Sequence, residues 1–130
     1  MKNPFKKLVK YLFGRSEESW HAKESHTYLR NREDGILRFN SISVQGKTPP
    51  NSSIGENDFV EVIYKNKPMW VLFKCPCGCE TTISLSLQNV HKPYWRLLTK
   101  NNRPTLYPSV WQKSGCCSHF WVYEGCIHWE

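Results

Sequence analysis

The sequence predicts a mainly β (small α+β) protein, built of antiparallel β-hairpins around a cluster of cysteines and led by one basic amphipathic helix. Three observations predict it. Cysteines bunch at Cys75-Pro76-Cys77-Gly78-Cys79 and return at Cys116-Cys117-Ser118-His119. From Asp58 onward, apolar and polar residues alternate in short runs separated by turn residues, the period-two signature of strands. Near the N-terminus, Phe5, Leu8, Val9 and Leu12 instead follow the i, i+3, i+4, i+7 spacing of a helix, with lysines on the other face and Gly14 as a stop.

The cysteine spacing is the most specific of the three. Thiols this close in sequence rarely present the Cβ geometry of a disulfide. They can converge on one soft, tetrahedral ion. Pro76 and Gly78 tighten the turn so that backbone amides point at the sulfurs. Cys116 and His119, three residues apart, complete a sulfur–nitrogen set of the zinc type. A structural zinc is therefore expected, with five candidates for four places: Cys75, Cys77, Cys79, Cys116 and His119. Cys117 competes with its neighbour Cys116, but consecutive residues rarely both face one ion. The histidine and the bunched spacing favour zinc over an iron–sulfur cluster. Disulfides would suit a secreted chain, but Leu8 to Phe13 is too short an apolar run for a signal peptide and Lys10 interrupts it. A reducing cytoplasm is the expected location.

The chain divides into a basic helix (1–15), a polar linker (16–35) and the thiol-bearing β domain (36–130). Its 130 residues, six of them Trp, allow one compact core that a metal staple would help. The net charge of +7 is concentrated at the start, where Lys2, Lys6, Lys7, Lys10 and Arg15 stand without an acid. Residues 2–15 could therefore touch an anionic membrane surface, an acidic groove or the domain itself. The rest is nearly neutral, which weakens a nucleic-acid reading of the whole domain. No stretch reaches the roughly 20 apolar residues of a membrane span.

Strands are expected over Phe59–Tyr64, Met69–Phe73, Thr82–Leu87 and Tyr94–Leu98, with Lys65 to Pro68 as a turn. Gln45 to Asp58 reads as an exposed loop. Thr105 to Val110 contains Pro108 and is at best an edge or a loop. A two-residue turn at Glu124-Gly125 would set Tyr123 against Cys126, Trp121 against His128 and His119 against Glu130. Phe120, Val122, Ile127 and Trp129 then share the core side. In that register Cys126 lies roughly 13 Å along the strand from His119, too far to share its ion. His128 sits at the edge of reach, and His21 and His26 suit no shared ligand face.

Catalytic templates fit poorly. His128-Trp129-Glu130 follows the cysteines instead of preceding them, as a zinc deaminase would require. Cys117 beside His119 would be a thiol nucleophile with no orienting acid in the sequence around it. No catalytic residue is assigned.

The strings Trp70-Val71-Leu72-Phe73-Lys74-Cys75-Pro76-Cys77-Gly78-Cys79, Ile83-Ser84-Leu85, Trp95-Arg96-Leu97, Thr105-Leu106-Tyr107-Pro108-Ser109-Val110 and Cys116-Cys117-Ser118-His119-Phe120-Trp121 resemble the bacterial family catalogued as domain of unknown function 6527. The resemblance covers about residues 58 to 130. It places the family's cysteines and Ser-His-Phe-Trp element on Cys75, Cys77, Cys79, Cys116, His119 and Trp121. Cys117 stands where the family is typically basic, which argues against it as a ligand. Some members lie beside genes for ubiquitin-like modifiers and their activating and conjugating enzymes, in systems tied to phage defence. The resemblance thus implies a zinc-bearing interaction or adaptor module whose partner is such a modifier or enzyme. Trp111, Trp121 and Tyr123 would form a partner-binding patch near the metal. A nucleic-acid-binding zinc ribbon, with aromatic strands stacking bases, and a metal-dependent hydrolase are the alternatives.

Overall fold

The computed structural model describes residues 28–130. The helix expected over 1–15, with its membrane-surface contact, and most of the linker lie outside the described residues. The linker's last part begins with a short helical turn at residues 28–30, where the side chains of Arg32 and Asp34 form an ion pair just beyond it.

From Gly35 onward the chain is a mainly β unit of ten strands among the described residues. One four-stranded sheet runs in the order β1 (Ile36–Leu37), β10 (Cys126–Trp129), β9 (His119–Tyr123), β8 (Val110–Trp111), antiparallel throughout. The second runs β2 (Ser43–Gln45), β3 (Phe59–Tyr64), β4 (Lys67–Lys74), β5 (Thr82–Ser86), antiparallel except for the parallel β2–β3 pair. A separate ribbon pairs β6 (Arg96–Lys100) with β7 (Arg103–Tyr107). No helix among the described residues is long and apolar enough to cross a membrane.

The core draws on both sheets. Phe39, Phe59 and Phe73 meet ring to ring, and Phe73 reaches Phe120 from the other sheet with centroids 6.3 Å apart. Val71, Ile83, Leu106, Val110, Val122 and Ile127 fill the space around them. A smaller cluster of Ile54, Val60, Val62 and Leu72 covers the other face of the β3–β4 hairpin. Alternation along β3 and β4 explains why one hairpin feeds two clusters.

Turn chemistry fixes the registers. Lys65-Asn66, Asn101-Asn102 and Glu124-Gly125 each place both residues at positive φ, the backbone that joins two strands by a two-residue turn. Gly125 is required there. A Cβ on it would lie 2.2 Å from the Phe39 carbonyl oxygen, and its own carbonyl accepts the Arg38 and Phe39 N–H groups at 2.9 Å. The final hairpin has the expected register, Tyr123 opposite Cys126 and Trp121 opposite His128, and the Glu130 N–H donates to the His119 carbonyl at 3.0 Å. The expectation for Thr105–Val110 holds: residues 105–107 belong to β7, an edge strand of the two-stranded ribbon in which Pro104 pairs with Thr99 and its missing N–H is tolerated, and Pro108 and Ser109 lie outside any strand. One expectation is corrected. The Gln45–Asp58 loop is anchored by Ile54, which is buried.

Candidate functional site

The β4–β5 connection is a tight turn. The Cys75 N–H donates to the Thr81 carbonyl at 2.8 Å, the Gly78 N–H donates to the Cys75 carbonyl at 3.3 Å, and Gly78 takes φ 92°. This geometry turns Cys75, Cys77 and Cys79 towards one point. Cys116 arrives from the β8–β9 loop, where Gly115 and Cys117 adopt positive φ. The four sulfurs lie within 4.8 Å of one another, with Cys75 to Cys77 at 3.5 Å and Cys75 to Cys116 at 3.7 Å. Four thiolates about 2.3 Å from a tetrahedral zinc would sit roughly 3.8 Å apart, so the donor set fits such an ion.

The electrostatics of the cluster are divided. Burial pushes the Cys75 thiol up to about 12. The Thr81 side chain and backbone hold Cys79 down to about 6, and Ser118, whose Oγ is 3.2 Å from the sulfur, lowers Cys116. A cation resolves the conflict, since it stabilises every sulfur as thiolate.

The remaining candidates are placed elsewhere. Cys117 directs its sulfur to the Gly115 carbonyl at 3.7 Å. Cys126 and His128 stand on β10, outside the thiol group. His119 is likewise not in that group: its Nε2 lies 3.0 Å from Ser109 Oγ.

Strand alternation explains the meeting of Ser109 and His119. Val110 on β8, with Phe120 and Val122 on β9, points into the core, so Ser109, Trp111, His119, Trp121 and Tyr123 take the opposite face. Trp111 pairs with His119, and the Gln112 N–H donates to the Ser118 carbonyl at 2.8 Å. By the antiparallel alternation Trp111–His119 is then a non-hydrogen-bonded pair, the kind whose side chains stand closest. Their rings stack at 5.2 Å and 14°. The Ser109 carbonyl accepts the Trp95 indole N–H at 3.2 Å, which fixes the serine's backbone. On the same face the Trp121 indole N–H donates to the Glu130 carboxylate at 2.7 Å. Trp111 is exposed, whereas Trp121 and Tyr123 are half-buried.

Ser109 was within reach of sequence reasoning but was missed. Reading Val110 as an inward strand residue would have put Ser109 and Trp111 on the outward side with His119. Pro108 argued against a strand there and hid that signal.

The family model described as "Bacterial ubiquitination-like system serine protease (BubE)" matches residues 45–130, more than half of the chain. No curated protein and no solved structure matches. The chain belongs to this family of a bacterial ubiquitination-like system.

Proposed function

We propose that this family member is a serine hydrolase that cleaves at a ubiquitin-like modifier, with Ser109 as nucleophile and His119 as base. The observation that carries the reading is the 3.0 Å approach of Ser109 Oγ to His119 Nε2 on an outward sheet face. The family's description as a serine protease supports the same chemistry.

With the imidazole proton on Nδ1, the Ser109 hydroxyl donates to Nε2. Attack on a carbonyl forms the Oγ–C bond while the hydroxyl proton passes to Nε2. The imidazolium returns that proton to the leaving amine as the C–N bond breaks, leaving an acyl-serine. Water, deprotonated by the same nitrogen, then releases the acid and restores the serine.

In this reading Cys75, Cys77, Cys79 and Cys116 hold a structural zinc that staples the β4–β5 turn to the β8–β9 loop. With four thiols to fill its four places, such an ion would be structural and would leave the chemistry to Ser109 and His119. The partner is the modifier itself, approaching the face that carries Trp111, Trp121 and Tyr123. The adaptor role expected from the sequence thereby becomes the substrate-facing side of the same surface. A cytoplasmic location, within a defence system of this type, is part of the proposal.

The test is incubation of the full chain with the system's ubiquitin-like protein carrying a C-terminal fusion, and with its conjugates, read by intact mass. The parent is expected to release a defined product, while Ser109→Ala and His119→Ala release none. Equal product from Ser109→Ala would overturn the assignment.

A further inference from the structure

Building on the assignment of Ser109 and His119, we propose that Trp111 is the positioning residue for His119, bracing the imidazole by its face where a serine–histidine–acid triad orients it by a carboxylate hydrogen bond. Among the described residues no carboxylate hydrogen-bonds to the His119 ring; its contacts there are the Ser109 hydroxyl and the Trp111 indole. Glu130, directly across the strand pair, has its carboxylate on the Trp121 indole N–H instead.

The indole suits the task in three ways. It lies nearly parallel to the imidazole, 14° off with centroids 5.2 Å apart, so it limits rotation of the ring and keeps Nε2 towards Ser109. Its π face stabilises the imidazolium that forms when the serine proton moves to Nε2, a cation–π effect absent from the neutral ground state. It also stands two residues after Ser109 in the chain, so nucleophile and ring support share one short stretch of backbone. Burial does not explain this tryptophan, because 54% of its surface is exposed. Lys113 places its Nζ 5.0 Å from the same ring centroid and competes for the π system. Removing it is expected to leave the ring to His119 alone.

The competing role for Trp111 is substrate contact, and a small probe separates the two. A fluorophosphonate phosphonylates an activated serine: the Oγ–P bond forms, the P–F bond breaks, fluoride leaves and the proton goes to His119. The full zinc-loaded chain and its Trp111→Leu, Trp111→Phe and Lys113→Ala variants would be compared for maximal labelling rate and half-saturating probe concentration. Trp111→Leu is expected to lower the maximal rate about 5- to 10-fold, the size of one lost stacking or cation–π contact, with half-saturation unchanged. Trp111→Phe is expected to recover most of it, and Lys113→Ala to equal or exceed the parent.

The His119 ring signals in NMR give a second readout independent of rate. They are expected upfield-shifted in the parent and the Phe variant, and relaxed in the Leu variant. Labelling of Trp111→Leu at the parental rate, or a change confined to half-saturation, would overturn the positioning role while leaving Ser109 and His119 standing. A parent that is not labelled on Ser109 would overturn the underlying assignment, and this one with it.

Discussion

Among the described residues two serine–histidine pairs lie at hydrogen-bonding distance, and only one has the arrangement that the proposed chemistry needs. Ser86 and His91 meet within a single turn. The Ser86 Oγ also accepts the Gln88 N–H at 3.0 Å, the serine is 6% exposed, and His91 engages it through Nδ1 while its ring packs against Trp70. Ser109, the residue just before β8, and His119, the first of β9, come from neighbouring segments of one sheet, engage through Nε2, and stand half-buried on its outward face. Closeness alone therefore says little. A nucleophile needs a lone pair not spent on holding the backbone, and a base needs room for its imidazolium and for a substrate. The first pair ties down a turn. The second leaves its serine oxygen addressable.

The comparison breaks at its largest scale if the thiol cluster is removed. The loop that carries Cys116 joins the strand after Ser109 to the one that begins at His119. Cys116→Ser is expected to lower the melting temperature by more than about 10 °C, because structural metal binding is folding free energy. Hydrolase activity should vanish with it. A thermal scan and an activity assay of the same sample check this, and a stable, active variant would contradict the stapling role.

The next contrast lies between the pairs themselves. Ser109→Ala or His119→Ala should reduce turnover by roughly 10³-fold or more, as for serine hydrolases generally. Ser86→Ala and His91→Ala should leave turnover within about twofold, since neither touches the reacting atoms. Stability should show the reverse order. Ser86→Ala leaves the part-buried Gln88 N–H without its acceptor and is expected to cost about 1 kcal/mol. Ser109→Ala should stay within about 0.5 kcal/mol of the parent, as outward-facing substitutions usually do. Denaturant midpoints would read both.

The smallest effect concerns pH. Zinc binds thiolate, and burial holds Cys75 as a thiol at neutral pH, with its pKa pushed up to about 12. Loading zinc must therefore expel that proton. Cys79, lowered to about 6 by Thr81, is already largely thiolate at pH 7 and contributes less. Zinc affinity should accordingly rise with pH and weaken in acid, and adding zinc to a weakly buffered sample should acidify it. No proton release at neutral pH would contradict the thiol state of Cys75.

Much of this was legible in the sequence where the determinants are local. The thiol turn depends on five consecutive residues, and the last hairpin on a turn dipeptide flanked by alternating apolar residues; both follow from short-range rules. Strands β1 and β2 escaped because they are two and three residues long, and β1 pairs Ile36 with Ile127 across most of the chain. No local pattern encodes such a pairing. His119 is the instructive case. Its three-residue spacing from Cys116 reads as a ligand spacing, yet Cys116 belongs to a loop while His119 opens a strand. Strand alternation carries its ring to Ser109, a partner visible only once β8 and β9 are laid side by side.

The most direct test of the central claim is to label the zinc-loaded full chain with a fluorophosphonate and map the modified residue by peptide mass spectrometry. The account predicts one adduct, on Ser109, lost in His119→Ala and retained in His91→Ala. An adduct on Ser86, or none on Ser109, would contradict it.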